Sequence, residues 1–139
     1  MQKKILLTYK EDEAYKIESV WATKIDENYR IDNIPFFAKN IALGDIISVE
    51  DDNGELYFDR LIETSGNSVV RLVIFDEKEV NNIGNELVKL GCGWEGSHIK
   101  SLISVNVPKD VSYKKVKEYL DLGEQKKVFE YQEACLGFK

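Results

Sequence analysis

The sequence predicts an α+β fold in which a small β-barrel or curled antiparallel sheet comes first and an α+β layer follows. Two observations predict it. Five short runs of alternating, β-branched or aromatic residues, separated by turn residues, precede residue 64. Beyond the turn residues at 64–67, apolar strand-like runs alternate with two segments of helical periodicity. We divide the chain into an acidic β-rich half, residues 1–67, and an α+β half, residues 68–139. No linker separates them, so we expect one cooperative unit.

The first half contains five predicted strands joined by short turns. In the second of them, Ile17, Trp21 and Ile25 share one face, because alternate residues of a strand point the same way. Asn53-Gly54 tolerates the positive φ that a tight hairpin requires. Pro35 lacks a backbone N–H, so a strand must stop or bend there. The predicted strands are Lys4–Tyr9, Ile17–Ile25, Tyr29–Asn33, Asp45–Glu50 and Glu55–Glu63.

Apolar residues around Pro35 are numerous enough to close one end of the predicted barrel; they are Ile34, Phe36, Phe37, Ile41 and Leu43. Large aromatic residues in such a position are expected to belong to the core before they form a platform for a ligand. We expect this of Trp21, Tyr29, Phe36 and Phe37.

The second half alternates strands and helices. A strand at 69–75 precedes a helix that begins near Asp76 and ends at Gly91, the usual left-handed stop. A hairpin of strands 92–97 and 100–107 follows, and then a helix over 112–122 that is expected to stop at Gly123. The segment 128–136 is predicted as a strand, with a helix as the alternative. The order β-α-β-β-α-β predicts a ferredoxin-like layer.

The chain carries 25 acidic and 19 basic residues, a net charge of -6. Residues 1–67 hold 14 acidic and 8 basic residues, so they account for the whole excess, while residues 68–139 hold 11 of each. This balance argues against nucleic acid or an anionic membrane as the partner. It is compatible with a solvated acidic face or with docking to a basic protein. Because no run is long and apolar enough for a signal peptide or membrane span, we expect a cytoplasmic protein.

The segment 91–98 combines three glycines and Trp94 with Cys92 and the only histidine, His98. A thiol near an imidazole could act as a nucleophile and base, but the spacing matches no catalytic motif. We favour a structural explanation of the segment, as a helix stop and a tight hairpin with Trp94 in the core. We therefore predict no catalytic residue, although activity at Cys92 or Cys135 stays open. Ligand types and spacing predict no metal site and no cofactor, and the Asp51-Asp52-Asn53-Gly54 turn lacks the remaining ligands of a calcium loop.

Two polar turns could meet at one rim of the barrel, because Asp32-Asn33 precedes the apolar corner and Ser65-Gly66-Asn67 precedes the strand that bears Arg71. Together they would form a polar pocket for an anion or carboxylate. The alternative is that these side chains cap strand ends and that Arg71 pairs with an acid such as Asp59 or Glu63.

Several blocks of residues resemble an uncharacterised bacterial family, domain of unknown function 4265, over roughly residues 17 to 137. The resemblance implies that the Asp-Asn-Ile-Pro-Phe-Phe, Ser-Gly-Asn and Trp-Glu-Gly-Ser blocks belong to one design, and it implies no activity. The blocks are Glu18-Ser19-Val20-Trp21-Ala22, the run 29–37 from Tyr29 to Phe37, Ala42-Leu43-Gly44-Asp45, Ser65-Gly66-Asn67-Ser68, Trp94-Glu95-Gly96-Ser97, Val105-Asn106-Val107-Pro108, Glu130-Tyr131 and Glu133-Ala134-Cys135-Leu136-Gly137.

From these observations we expect a non-enzymatic protein-binding domain, immunity or antitoxin-like, that docks an acidic face on a basic, toxin-like protein. Its contact residues would be Asp51, Asp52, Glu55, Asp59 and Glu63. The alternative is a small-molecule-binding regulatory domain whose pocket is lined by Asn33, Asn67, Arg71 and Trp94. Neither nucleic acid nor a membrane is an expected partner.

Overall fold

The computed structural model describes residues 2–137, and its first half is a closed five-stranded barrel. Each strand pairs antiparallel with the next, and the first closes the barrel by a short parallel contact with the fifth. The predicted α+β class and the barrel are therefore confirmed. The strands are β1 (Gln2–Glu11), β2 (Ala14–Ile25), β3 (Asn28–Ile31), β4 (Ile46–Asp52) and β5 (Glu55–Glu63).

Alternation along the strands fills the barrel. On β2, Val20 and Ala22 point inward, and so do Ile5 and Leu7 on β1. The expectation that Trp21 belongs to the core is wrong: its side chain lies on the outer face, and the residue is 45% exposed. The reason is the period of two, since burying the smaller neighbours at 20 and 22 forces residue 21 outward. Tyr29 is buried as predicted.

The second half is a four-stranded sheet with two helices. Its strand order is β7-β8-β6-β9, and all neighbouring strands are antiparallel. The segment 128–136 is confirmed as a strand rather than a helix. The elements are β6 (Ser68–Ile74), α1 (Val80–Lys89), β7 (Gly93–Gly96), β8 (Leu102–Val107), α2 (Tyr113–Gln125) and β9 (Phe129–Cys135), with a 3₁₀ turn at Glu77–Glu79 before α1.

The helices cover one face of this sheet. Alternate residues of β6 and β8, such as Leu72 and Ile103, are fully buried in one cluster with Leu87 of α1 and Leu120 of α2. The residues between them on the strands point to the opposite face. The barrel and the loop between β3 and β4 lie on that side, because Val69 packs there with loop residues 34 and 42.

Gly91 ends α1 as predicted, with φ +98°. The amide of Cys92 donates to the Leu87 carbonyl and that of Gly91 to the Val88 carbonyl, the paired bonds of a Schellman motif. The predicted stop at Gly123 is wrong, because α2 continues to Gln125 and Lys127 takes the left-handed position.

Gly123 serves packing instead of helix termination. A Cβ at this position would lie 2.2 Å from the Phe129 ring, and at Gly84 of α1 a Cβ would lie 2.3 Å from the Trp94 ring. Each helix thus approaches the sheet through a glycine that an aromatic ring covers. Among residues 2–137, no helix is long and apolar enough to cross a membrane.

We predict that Gly123→Ala and Gly84→Ala each lower the free energy of unfolding by about 1–3 kcal/mol, because the added methyl overlaps a ring that the core holds in place. Alanine is otherwise the better helix former by about 1 kcal/mol. A loss of stability would therefore come from packing and not from helix propensity. Urea unfolding followed by circular dichroism measures it. The control is Asn85→Ala on the exposed face of α1, which should be neutral or stabilising; a stabilised Gly123→Ala would contradict the packing role.

Candidate functional site

The loop between β3 and β4, residues 32–45, is the place where the two halves meet; we call it the corner. It contains no regular secondary structure. Ala38 and Ile41 pack into the barrel core, while Ile34 and Ala42 pack with Val69 and Ala134 of the second sheet. The apolar corner residues therefore divide between two clusters, and only one of the two lies in the barrel. Its aromatic rings, at 36 and 37, stay half-buried.

Glu18 holds the corner from the barrel side. Its carboxylate accepts three consecutive backbone N–H groups, those of Phe36, Phe37 and Ala38, each at 2.8 Å. A backbone that turns sharply inside a protein cannot form a ladder, so its donors need other acceptors. Because β2 places residue 18 on the same face as Val20 and Ala22, the side chain reaches inward to this segment.

A row of polar side chains holds the corner from the sheet side. Glu95 on β7, Ser104 on β8, Arg71 on β6 and Gln132 on β9 lie opposite one another in register across the sheet, and we call them the polar row. They point away from the helices because their strand neighbours occupy the helix-covered core. The row is the one place where this buried sheet face carries polar groups on four adjacent strands.

The corner crosses the polar row one residue per strand. The Ile34 amide donates to Glu95 Oε2 at 3.0 Å, and Ser104 Oγ donates to the Pro35 carbonyl at 2.7 Å. Arg71 Nη1 donates to the Phe36 carbonyl. Three of the four members of the row thus form hydrogen bonds with the backbone of three successive corner residues. The fourth, Gln132, is exposed and has no corner residue bound to it in the part of the chain that the structure describes.

Arg71 is buried and keeps donor capacity beyond that one bond. Neither Nε nor Nη2 has a hydrogen-bond partner among the described residues, and both atoms are shielded from solvent. Burial lowers the pKa of Arg71, and the nearby Glu18 carboxylate opposes this effect. The suggested pairing of Arg71 with Asp59 or Glu63 is not found within the described residues; Asp59 instead accepts from Ser48 Oγ.

A cavity of about 390 Å³ lies beside Arg71 at the free end of the polar row. Its lining is formed by Phe37, Arg71, Val73, Leu102, Glu130, Tyr131 and Gln132. A larger cavity of about 790 Å³ lies at the start of α2, where Lys109, Lys114 and Lys117 line it. We regard the smaller cavity as the candidate site, because it contains a buried charged group with unsatisfied donors, which the larger one lacks among residues 2–137.

The four residues of the predicted ligand pocket lie in different places. Asn33 Oδ1 accepts from the Trp21 amide at 2.6 Å, so it ties the corner to β2. Asn67 donates to the Leu43 carbonyl and accepts from the Lys109 amide, both within turns. Trp94 packs on α1 at the opposite face of the sheet. Of the four, only Arg71 lines the candidate cavity.

The Ser65-Gly66-Asn67 turn contacts the Leu43-Gly44-Asp45 turn instead of Asp32-Asn33, and Arg71 is bound elsewhere, to the Phe36 carbonyl. The Ser65 amide donates to Asp45 Oδ1 at 2.8 Å, and the Asn67 side chain contacts the Leu43-Gly44 turn. This contact caps strand ends, as the alternative interpretation held. Asp32 is likewise used locally: burial raises its pKa, but hydrogen bonds from Thr23, Gln2 and Arg30 outweigh burial and lower it.

The five acids predicted to bind a partner are all exposed on β4 and β5. Asp51, Asp52 and Glu55 surround the hairpin turn, where Asp51 Oδ1 accepts from the Gly54 amide. Glu63 lies eight residues along β5 from Glu55, about 26 Å away at the usual rise of a strand. The five therefore form a strip with its densest charge at the turn rather than one compact patch.

The thiol and imidazole of segment 91–98 do not form a reactive pair. Cys92 is buried against the helices, and burial raises its pKa to about 11, so the thiolate needed by a nucleophile is disfavoured at neutral pH. His98 is exposed in the loop before β8. Among the described residues, no cluster of histidine, cysteine and carboxylate groups could hold a metal ion.

Glu18, Glu95 and Ser104 were not among the predicted site residues. Their roles depend on contacts between residues 18 to 69 positions apart, which a single sequence does not reveal. One signal was present: Glu18 and Glu95 stand within two of the blocks that carry the family resemblance.

Fold and site together define a class: an α+β protein in which a closed five-stranded barrel joins a helix-covered sheet through a clamped loop. The chain belongs to the family described as "Domain of unknown function (DUF4265)", which matches residues 18–131. The resemblance stated from the sequence is thereby confirmed.

The whole chain is similar in structure to a solved chain, "Novel crystal structure of a hypothetical protein from Neisseria gonorrhoeae". The TM-score is 0.88 at 29% sequence identity, and the match covers 100% of this chain and 98% of that chain. No curated protein matches the sequence.

We predict that Glu18→Gln lowers the free energy of unfolding by about 2–4 kcal/mol. Glutamine replaces one carboxylate oxygen by an NH₂ group. At least one corner N–H would then face another donor and lose its acceptor. The measurement is equilibrium urea unfolding at neutral pH. Glu13→Gln, exposed in the turn of the same hairpin, is the matched control and should be neutral. Equal stability of the two variants would refute the role of Glu18.

Proposed function

We propose that this protein is a non-enzymatic protein-binding domain, immunity or antitoxin-like, that docks the outer face of β2 and its flanking acidic turns on a basic partner. The observation that carries the proposal is a stripe of large apolar side chains along one face of β2. Tyr15 is 74% exposed, Ile17 54% and Trp21 45%, and Ile25 continues the stripe. Ser19 and Thr23 lie between these residues on the same face. Large apolar side chains grouped on one exposed face are typical of protein-binding sites.

The shape of the stripe suits a protein better than a small molecule. Tyr15 and Ile25 are ten residues apart, which is about 33 Å along a strand. β2 pairs with β1 from Ala14 to Thr23, but with β3 only from Ala22 to Ile25. Within residues 2–137, the first part of β2 therefore has no strand on its other side, and its backbone groups are available to a partner.

Charge supports a basic partner. Glu11, Asp12 and Glu13 stand at one end of the stripe, and Asp26 and Glu27 at the other. Asp51, Asp52 and Glu55 lie at that second end of the barrel, because the β4–β5 turn and the β2–β3 turn are on the same side. Acidic groups at both ends of an apolar strip favour a partner that carries basic residues around an apolar centre, and they accelerate association.

Two lysines border the stripe laterally without changing this preference. Lys4 Nζ lies 5.6 Å from the centre of the Trp21 ring and Lys10 Nζ 6.0 Å from that of Tyr15. Their charges are engaged with ring faces in the manner of cation–π pairs. Their aliphatic stems also extend the apolar surface.

We infer further that the second half is a ferredoxin-like layer. The order β7-β8-β6-β9 with antiparallel neighbours supports this assignment. The helix α1 connects β6 to β7 with β8 between them, and α2 connects β8 to β9 with β6 between them, which is the split βαβ arrangement. In such a layer the sheet face opposite the helices is free to pack on another unit, which here is the corner and barrel.

The alternative function, a small-molecule-binding regulatory domain, retains support only from Arg71 and the cavity beside it. Asn33, Asn67 and Trp94 are committed to turns and packing. We therefore rank protein binding first.

The test uses the protein immobilised and exposed to lysate of its own host, with the retained polypeptide identified and its affinity measured. We expect a basic polypeptide at one-to-one stoichiometry, whose affinity falls as salt rises, because charge steers the contact. Ile17→Thr with Trp21→Thr should weaken binding at least about 100-fold, since central apolar anchors dominate interface energies. Thermal unfolding should be unchanged, because both residues are exposed.

The matched control replaces exposed apolar residues elsewhere, Val88→Thr and Leu122→Thr on the two helices, and should leave affinity unchanged. Charge reversal of Asp51 and Asp52 should slow association about tenfold or more at low salt. If the β2 double variant bound the partner as tightly as the wild type, the proposed docking face would be wrong.

A further inference from the structure

We propose that the cavity beside Arg71 binds a small organic monocarboxylate with an apolar body. This cavity is a different surface from the proposed docking face, and it lies between the corner and the second sheet. It starts from the guanidinium group of Arg71, which is buried and donates through Nη1 to the Phe36 carbonyl.

The two nitrogens left over are a matched pair. Nε and Nη2 form the side-on edge of a guanidinium, whose parallel N–H bonds fit the two oxygens of a carboxylate. Neither has an acceptor among the described residues. A buried donor without an acceptor destabilises the folded protein, and more so when it is charged. An acceptor from outside the chain would remove this cost, and a carboxylate is the acceptor whose shape fits both nitrogens at once.

Glu18 is not that acceptor in this structure. Its carboxylate already accepts the amides of residues 36, 37 and 38. No hydrogen bond joins its oxygens to Nε or Nη2. Its charge favours the cationic guanidinium and opposes the burial that lowers the pKa of Arg71.

The surroundings define the rest of the ligand. Phe37, Val73 and Leu102 give the cavity of about 390 Å³ an apolar wall, and Tyr131 adds a ring. Gln132 stands directly opposite Arg71 across the β6–β9 pair, where its amide can donate to a second ligand oxygen. Glu130 also lines the cavity and would repel a second anionic group. One carboxylate on a compact apolar body therefore fits better than a dicarboxylate.

Phe37 forms the corner-side wall of the cavity. Its ring stacks on Tyr9 of β1, with centroids 5.2 Å apart and an angle of 16°. Because Nε and Nη2 are shielded from solvent, a ligand reaches them only when a lining side chain turns aside. Phe37 is half-buried and lies next to the exposed end of the polar row, so it is the lining side chain best placed to do so.

The experiment follows the Arg71 Nε–H resonance by nitrogen-15 NMR of the full chain during titration with benzoate. We expect a saturable shift with a dissociation constant of about 1 mM or tighter, a reasonable value for a ligand of this size. Benzamide, which has the same body without the charge, should cause no shift. Val73→Trp, which fills the cavity from an exposed strand position, should weaken benzoate at least about tenfold.

Leu122→Trp, an equally exposed site on α2, is the matched control and should bind benzoate like the wild type. Arg71→Lys keeps the charge but removes the fork, and should also weaken binding at least about tenfold. If Arg71→Lys fails to fold because the Phe36 carbonyl loses its donor, the affinity of Val73→Trp for benzoate tests the proposal.

The proposal would be overturned by no saturable shift with benzoate, by an equal response to benzamide, by an unchanged affinity in Val73→Trp, or by saturation with inorganic phosphate while benzoate has no effect. A magnetisation transfer from water to Nε–H that benzoate does not remove would assign the donors to a bound water only, which also overturns it.

Discussion

The backbone of the corner between Ile34 and Ala38 is the constraint on which the structure depends. This segment is buried between two sheets, it contains a proline, and it turns too sharply to join either ladder. Its N–H and C=O groups must nevertheless be satisfied, because a buried backbone group without a partner costs as much as a lost hydrogen bond. Glu18 supplies acceptors from the barrel, and Glu95, Ser104 and Arg71 supply an acceptor and two donors from the sheet.

This arrangement explains why polar residues interrupt two of the most apolar strands. β6 and β8 are buried along their whole lengths apart from Val73, yet each carries a polar residue at its centre. An apolar residue at 71 or 104 would bury equal area and leave a corner carbonyl unpaired. The polar row also joins the halves: the barrel, the corner and the sheet share one set of hydrogen bonds as well as the small apolar cluster around Val69. The proposed docking face lies outside this set, on the outer face of β2, whereas the proposed carboxylate site shares Arg71 with it at the free end of the row.

Local physics made most of the elements predictable. The alternation of residues predicted β2, Asn53-Gly54 predicted the turn between β4 and β5, and Gly91 predicted the end of α1. Gly123 misled because a glycine near the end of a periodic segment looks the same whether it supplies positive φ or space, and here Phe129 needs the space. The prediction for Trp21 was wrong because the large apolar side chain suggested burial. The alternation of β2 places it on the outer face instead.

The candidate site was less accessible to sequence reasoning. Arg71 stood out as a charge in an apolar strand, but its partner is a backbone carbonyl 35 residues away rather than an acid. The polar row exists only through the registers of three strand pairs, and no local pattern encodes register between strands that are distant along the chain. The acidic strip was visible as composition, whereas the apolar stripe became visible only once β2 was known to face outward at Tyr15, Ile17 and Trp21.

Amide hydrogen exchange of Phe36, Phe37 and Ala38 measures whether the corner is clamped as firmly as the strands on either side of it. We expect these three amides to exchange only through global unfolding, with the same free energy of opening as the central amides of β6 and β8. Exchange at the rate of an exposed loop, while β6 and β8 remain protected, would contradict it.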